Sequence, residues 1–280
     1  MLTRFAPSPT GRLHLGHALA AKEAFGFGAA ENARCLLRIE DIDHTRCKQD
    51  YTLGIYKDLN WLGFDWPIPT RVQTRHYLDY AKVVAALLER GLAYPCKLTR
   101  RELKDGQRST PKNTLTSSAF LAHFKMEDDT PNPKPSLPYA IRLNLAHALE
   151  ITSQSPLTFS ETGQQDIDGR AALMAWAQSG QADPIIARKD IGVSYHIAVT
   201  HDDMLQGITH VVRGMDLFDE TPLHVLIQTL MGWPVPIYHH HALLTRDDGE
   251  KLSKRGLDTS LHSLRENGLT AAQVLAMATP

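Results

Sequence analysis

Hydrophobic and polar positions change their period along the chain, and each change marks an element. "LTRFA" near the N-terminus reads as a short strand, broken by Pro7 and Pro9. Beyond Gly11, "LHLGHALAAKEAFGFGAA" is alanine-rich with helical character. "CLLRIEDID" is an apolar strand that ends in carboxylates. "DYTLGIYKDLNWLGF" and "YLDYAKVVAALLERG" place apolar residues at helical spacing, and Gly91 stops the second. This β-α-β-α order implies an α/β fold with a parallel sheet and covering helices.

The pattern loosens between about Thr99 and Gln181. "STPKNTLTSS", "EDDTPNPKPSLP" and "SQSPLTFSETGQQ" are rich in Ser, Thr and Pro, which predicts loops or a loosely organised inserted module. Order returns at "YHIAVTHDDMLQGITHVVRGMD", predicted as two β-rich runs around a turn at Gln206 and Gly207, with "HDD" at His201 to Asp203 read as a turn cap. "TPLHVLIQTLMGW" reads as an amphipathic helix and "PIYHHHALL" as a strand. His239, His240 and His241 alternate faces on such a strand, so they cannot all ligate one ion. The expected organisation is a first half of the main domain at residues 1–95, an inserted α+β module at 96–182, a second half at 183–245, and a loop with a short helical segment at 246–280.

Composition narrows the class. Over 280 residues, 42% hydrophobic and 22% charged residues fit an ordinary globular protein, and no apolar run approaches the roughly 20 residues that span a bilayer. Met1 opens directly into polar sequence without a secretory signal, so a cytoplasmic location and no membrane partner are expected. Cys35, Cys47 and Cys96 are odd in number and far apart, which argues against a disulfide framework. Thirty basic residues against 31 acidic ones give no global signal for nucleic acid. One local patch stands out: Lys97, Arg100, Arg101, Lys104, Arg108 and Lys112 against Glu102 and Asp105, which reads equally as a solvated surface.

Two stretches carry chemistry. In "APSPTGRLHLGHA", His14 and His17 stand three apart at the start of a helix and so share a side. A helix N-terminus with imidazole donors suits a nucleotide phosphate, although a half metal site or simple capping fits the pair equally. Near the other end, "DGEKLSKRG" offers Lys251, Ser253 and Lys254, suited to developing phosphoryl charge but also to a solvated loop.

Together, "PSPTG" with "HLGH" early and "KLSK" late resemble the two signature motifs of class I aminoacyl-tRNA synthetases, in the right order on a compatible βα pattern. "RFAPSPTG", "LLRIEDID", "YHIAVTHDD" and "HVVRGMD" are similar to the glutamyl branch, whereas the glutaminyl branch carries Pro and Glu where Ala6 and Ser8 stand. The glutamyl branch continues into a large helical anticodon-binding region, for which this sequence has no room after the loop. The sequence therefore resembles the short glutamyl-queuosine paralogue family. The resemblance implies a Rossmann-like catalytic core without an anticodon-binding domain. It also implies ATP-dependent activation of L-glutamate, and transfer to queuosine in the anticodon of tRNA(Asp).

By the same resemblance, Arg4, Ala6, Ser8, Glu40, Tyr195 and Arg213 are the expected glutamate-binding residues. His14, Gly16, His17, Asp216, Lys251, Ser253 and Lys254 are expected at ATP, with His14, His17 and Lys254 catalytic. Magnesium enters as the ATP complex, and the chain is expected to be a monomer. Many relatives hold zinc through Cys-x-Cys and a later cysteine; here Cys96 is followed by Leu98 and no further cysteine, so no zinc or other protein-bound metal is expected. The alternatives are a truncated enzyme charging the 3′ end of tRNA(Glu), and a non-catalytic tRNA-binding paralogue.

Overall fold

The computed structural model describes residues 1–27, 33–105, 115–124, 135–244 and 260–279. The chain starts with β1 (Leu2–Phe5), α1 (Leu15–Gly26), β2 (Arg34–Ile39), α2 (Gln49–Trp61), β3 (Arg71–Val72) and α3 (Tyr77–Glu89). Gly91, just past α3, takes φ +70°, the left-handed stop that the sequence predicts. The middle holds β4 (Ala93–Cys96), α4 (Arg100–Lys104), α5 (Ser117–Leu121), β5 (Ala140–Leu143), α6 (Leu145–Ile151), β6 (Thr158–Phe159), β7 (Ile167–Asp168) and α7 (Gly169–Gln178). There follow β8 (Ile185–Ala187), α8 (Tyr195–Leu205), β9 (His210–Gly214), α9 (Thr221–Met231), β10 (Ile237–His241), α10 (Leu261–Glu266) and α11 (Ala271–Met277).

β1, β2 and β3 pair in parallel, as do β9 and β10. β1 lies beside β9, tied where the Thr209 N–H donates to Leu2 O at 3.0 Å, so the two parallel sheets abut with their strands in the order β3-β2-β1 and β9-β10. This is the parallel α/β core that the β-α-β-α pattern implies, and the strand order reverses between β1 and β9. Ligands of such sheets bind at the carboxyl ends of the strands at this reversal. β4, β5 and β8 form a separate antiparallel sheet.

Alternation along the strands separates core from chemistry. Phe5, Leu37 and Ile39 pack with Leu19 and Ala21 of α1, and Thr3 Oγ1 donates to Ala24 O of that helix. The intervening Arg4 and Arg38 point the other way, toward α8. α10 and α11 close the α1 side, where Arg265 pairs with Asp58 of α2 at 2.8 Å. α3, α8 and α9 build the other core, with Tyr80, Ile197 and Leu226 fully buried.

Two expectations are corrected. "YHIAVTHDDML" is not a strand but α8: its β-branched Ile197, Val199 and Thr200 suggest β propensity, yet Ser194 caps the helix by accepting from the Ile197 N–H, and buried packing on several sides overrides the weak local preference. Asp202 and Asp203 are accordingly no turn cap; they sit buried in the last turns of α8. Within the expected inserted module, "SQSPLTFSETGQQ" carries more order than its composition shows. It contains β6, and its residues 160–162 run parallel to β10, with the Tyr238 N–H donating to Ser160 O at 2.8 Å and the Thr162 N–H to Tyr238 O at 2.9 Å. The cysteines are free, and no described helix is long and apolar enough to cross a membrane.

Candidate active site

A cavity of about 700 Å³ opens at the carboxyl ends of β1 and β9. Arg4, Ala6, Ser8, His14, Gly16, His17, Glu40, Tyr195, Arg213 and Asp216 all line it, so every described residue of the expected site meets in one place. Lys251, Ser253 and Lys254 lie outside the described residues. The two ends of their segment do not: Leu244 lines the cavity, and Ser260 forms an antiparallel bridge with His14, next to a 2.8 Å bond from the Leu261 N–H to Leu13 O.

One side of the cavity is the start of α1. His14 is its N-cap residue, with Nδ1 accepting from the Gly16 N–H at 3.1 Å, while the His14 N–H donates to His17 Nδ1 at 3.2 Å. Both Nδ1 atoms therefore accept, which places each ring proton on Nε2. The rings sit 3.9 Å apart between centroids. Capping and phosphate binding, alternatives from sequence, are compatible here because they use different ring nitrogens. Gly16 completes the arrangement: a Cβ there would meet His14 Cε1 at 3.0 Å and Nδ1 at 3.1 Å.

The opposite side is charged and buried. Asp203 accepts from Arg4 Nε at 3.0 Å and from Arg38 Nη2 at 2.6 Å, and Arg4 Nη1 also donates to Val212 O at 3.1 Å. Burial works against its charge, but Arg4 and Arg38 outweigh it and hold the carboxyl below the usual range. Asp202, next in α8, accepts from Arg71, Gln73 and Tyr80, tying β3 and α3 to the same helix. Glu40 lies 3.4 Å from Arg38 Nε with Oε1 otherwise without a hydrogen-bond partner. Burial pushes its pKa up to about 7 against the pull of Arg38 and Arg4. Tyr195, in the first turn of α8, is raised to about 12 by burial and then by Glu40.

Arg213 is held differently. Its Nε donates to His240 Nε2 at 3.0 Å, Nη1 to His224 Nδ1 at 3.2 Å and Nη2 to Thr221 Oγ1 at 2.6 Å. β9 and β10 are in register at Arg213 and His240, and Glu161 accepts from both the His240 N–H and the His240 Nδ1 at 2.7 Å. Sequence reasoning missed Asp202, Asp203, Arg38, His224, His240, Thr221 and Glu161. A helical reading of α8 would have found the aspartates, since Tyr195, Asp202 and Asp203 fall seven and eight positions apart; the Glu161 contact has no local signal. Among the described residues no group of three His, Cys, Asp or Glu side chains is arranged to hold a metal.

Residues 1–278 match the family described as tRNA synthetases class I (E and Q), catalytic domain. The glutamyl-Q tRNA(Asp) synthetase of Rhodobacter capsulatus is 38% identical over 277 residues, covering 98% of each chain. The glutamate–tRNA ligase of Aquifex aeolicus is 36% identical over 268 residues, and the match spans 95% of this chain but 54% of the ligase. Among solved structures, a glutamate tRNA ligase from Elizabethkingia meningosepticum, crystallised in complex with its amino acid, aligns with a TM-score of 0.64 at 24% identity, covering 96% of this chain and 53% of that one. The chain thus spans about half the length of these glutamate ligases.

Proposed function

This chain belongs to the class I tRNA synthetase (E and Q) catalytic-domain family, and we propose that within it the protein is the ligase that activates L-glutamate with ATP and transfers it to the queuosine base in the anticodon of tRNA(Asp). Glutamate, ATP and tRNA are the partners that the family implies. The observation that carries the amino-acid assignment is the meeting of a phosphate-suited helix start with two arginines and a buried carboxylate in one cavity. The queuosine acceptor is supported by the end-to-end match to a glutamyl-Q tRNA(Asp) synthetase.

In this reading Glu40 accepts from the α-ammonium of glutamate, and Arg4 and Arg213 face its γ-carboxylate, with Ala6, Ser8 and Tyr195 shaping the pocket. The free α-carboxylate attacks the α-phosphorus of ATP. A carboxyl–phosphate bond forms as the bond to the bridging oxygen breaks, and pyrophosphate leaves. His14 and His17 donate from Nε2 to the phosphates, Gly16 lets the nucleotide approach the helix, and Asp216 contacts the nucleoside. Lys251, Ser253 and Lys254 meet the phosphates, Lys254 at the developing charge. Magnesium arrives with ATP. Catalysis is mainly positioning and charge stabilisation.

Labelled glutamate offered with four tRNA preparations tests the acceptor. Transfer to tRNA(Asp) that carries queuosine, retained after periodate has destroyed the 3′ terminus if the base is protected and lost when queuosine is absent, supports the reading. Transfer to the 3′ end of tRNA(Glu) overturns it in favour of ordinary charging.

A further inference from the structure

The buried arginines at and behind the cavity wall differ in what neutralises them. Arg4 and Arg38 share the Asp203 carboxylate, and Arg38 also faces Glu40. Arg213, 6% exposed, forms no ion pair with a carboxylate among the described residues; its three acceptors are two imidazoles and a hydroxyl. A buried guanidinium without a counter-charge is costly, and such a cost is retained where a ligand supplies the missing charge.

The acceptors are themselves fixed in the right state. His224 Nδ1 accepts from Arg213, so its proton sits on Nε2 and is given to His196 Nδ1 at 3.1 Å; this leaves the proton of His196 on Nε2, 3.7 Å from Glu220. His240 accepts through Nε2 and gives its Nδ1 proton to Glu161. Neither ring can take a second proton and still accept from Arg213. Burial, and then Arg213, keep His224 well below its ordinary pKa; burial likewise lowers His240, against the pull of Glu161. Thr221 and His224 stand three apart on α9, so one helical face presents both acceptors. His224, His240 and Thr221 do not line the cavity, whereas Arg213 does.

We propose that His224, His240 and Thr221 form a neutral mount for Arg213, positioning residues that hold its guanidinium while leaving its charge for the side-chain carboxylate of the substrate. A carboxylate in the mount would fix Arg213 equally well but would cancel that charge and weaken the preference for glutamate over the uncharged glutamine. Glu161 acts one bond further out, holding the His240 tautomer. The proposal rests on the glutamate reading above.

Pyrophosphate exchange with ATP, with glutamate and ATP varied separately, provides the test. Replacing a neutral acceptor of a charged donor is expected to cost about tenfold or more in the affinity that the donor supports. For His224→Leu the glutamate KM therefore rises about tenfold or more while the ATP KM changes less than about twofold. His224→Asn, whose side-chain oxygen can stand at the Nδ1 position, recovers most of the loss. Thr221→Val and Thr221→Ser repeat the comparison in a nearly isosteric pair, and carry the test if thermal melting shows His224→Leu unfolded. Equal rises in both KM values, or an Asn variant no better than Leu with Ser no better than Val, overturn the mount. A parent enzyme without glutamate-dependent exchange overturns the functional reading, and the proposal with it; a parent that exchanges beside variants that fail the pattern overturns the mount alone.

Discussion

Asp203 of α8 holds Arg4 of β1 at 3.0 Å in a pair buried from solvent, so the second half of the sequence fixes a cavity-lining arginine presented by the first four residues. The same carboxylate takes Arg38 of β2 at 2.6 Å. Removing it strands two buried guanidinium groups. Asp203→Ala is expected to cost about 3–5 kcal/mol in urea unfolding. The sign with pH follows from the depressed pKa: the contribution is complete above the unfolded value of 3.8 and disappears as pH falls through the lower folded value. The stability gap between the parent and Asp203→Asn should be flat at neutral pH and shrink in acid.

Glu40 behaves oppositely. Its folded pKa of about 7 lies above the ordinary 4.5, so the folded state holds a proton that the unfolded chain releases. Its contribution to stability should fall as pH rises from about 4.5 through 7, by up to roughly 3 kcal/mol. Substrate binding runs the other way, because an α-ammonium needs the carboxylate: the glutamate KM should rise as pH drops below about 7. Glu40→Gln should remove both slopes, gaining stability at neutral pH and losing glutamate affinity. Melting curves and exchange kinetics across pH check this.

Gly16→Ala separates folding from function. Alanine favours a helix by up to about 1 kcal/mol over glycine, but the added Cβ crowds His14 at 3.0 Å and displaces its ring. The expected result is unchanged or higher thermal stability with an ATP KM raised about tenfold, read in the same exchange assay.

The exposed Arg101 lies in the one basic patch and pairs only loosely with Asp105 at 3.8 Å. Arg101→Glu should weaken transfer to tRNA and flatten its salt dependence, with adenylate formation unchanged. Equal loss in both steps would mean that the patch does not meet RNA.

The parallel core is legible because β1 and β2 are short apolar runs, α2 and α3 keep helical spacing, α1 is alanine-rich, and the stops are chemical: Pro7 and Pro9 follow β1, and Gly91 ends α3 with a positive φ. Arg4, Glu40, His14, His17 and Arg213 were found because they stand in short motifs at strand ends and a helix start. What lay beneath them was hidden. α8 reads as a strand in sequence because β-branched residues fill a helix whose packing, not propensity, decides its form. Glu161 supports His240 across 79 positions of sequence, a contact set by tertiary structure alone.

Glutamate-dependent exchange of pyrophosphate into ATP, measured without tRNA, decides whether this cavity activates glutamate. Exchange is expected with glutamate and little with glutamine, and Lys254→Ala and Arg213→Leu are expected to lose it while both variants remain folded. Exchange that is absent with every amino acid, or that persists in Arg213→Leu with an unchanged glutamate KM, would contradict that activity.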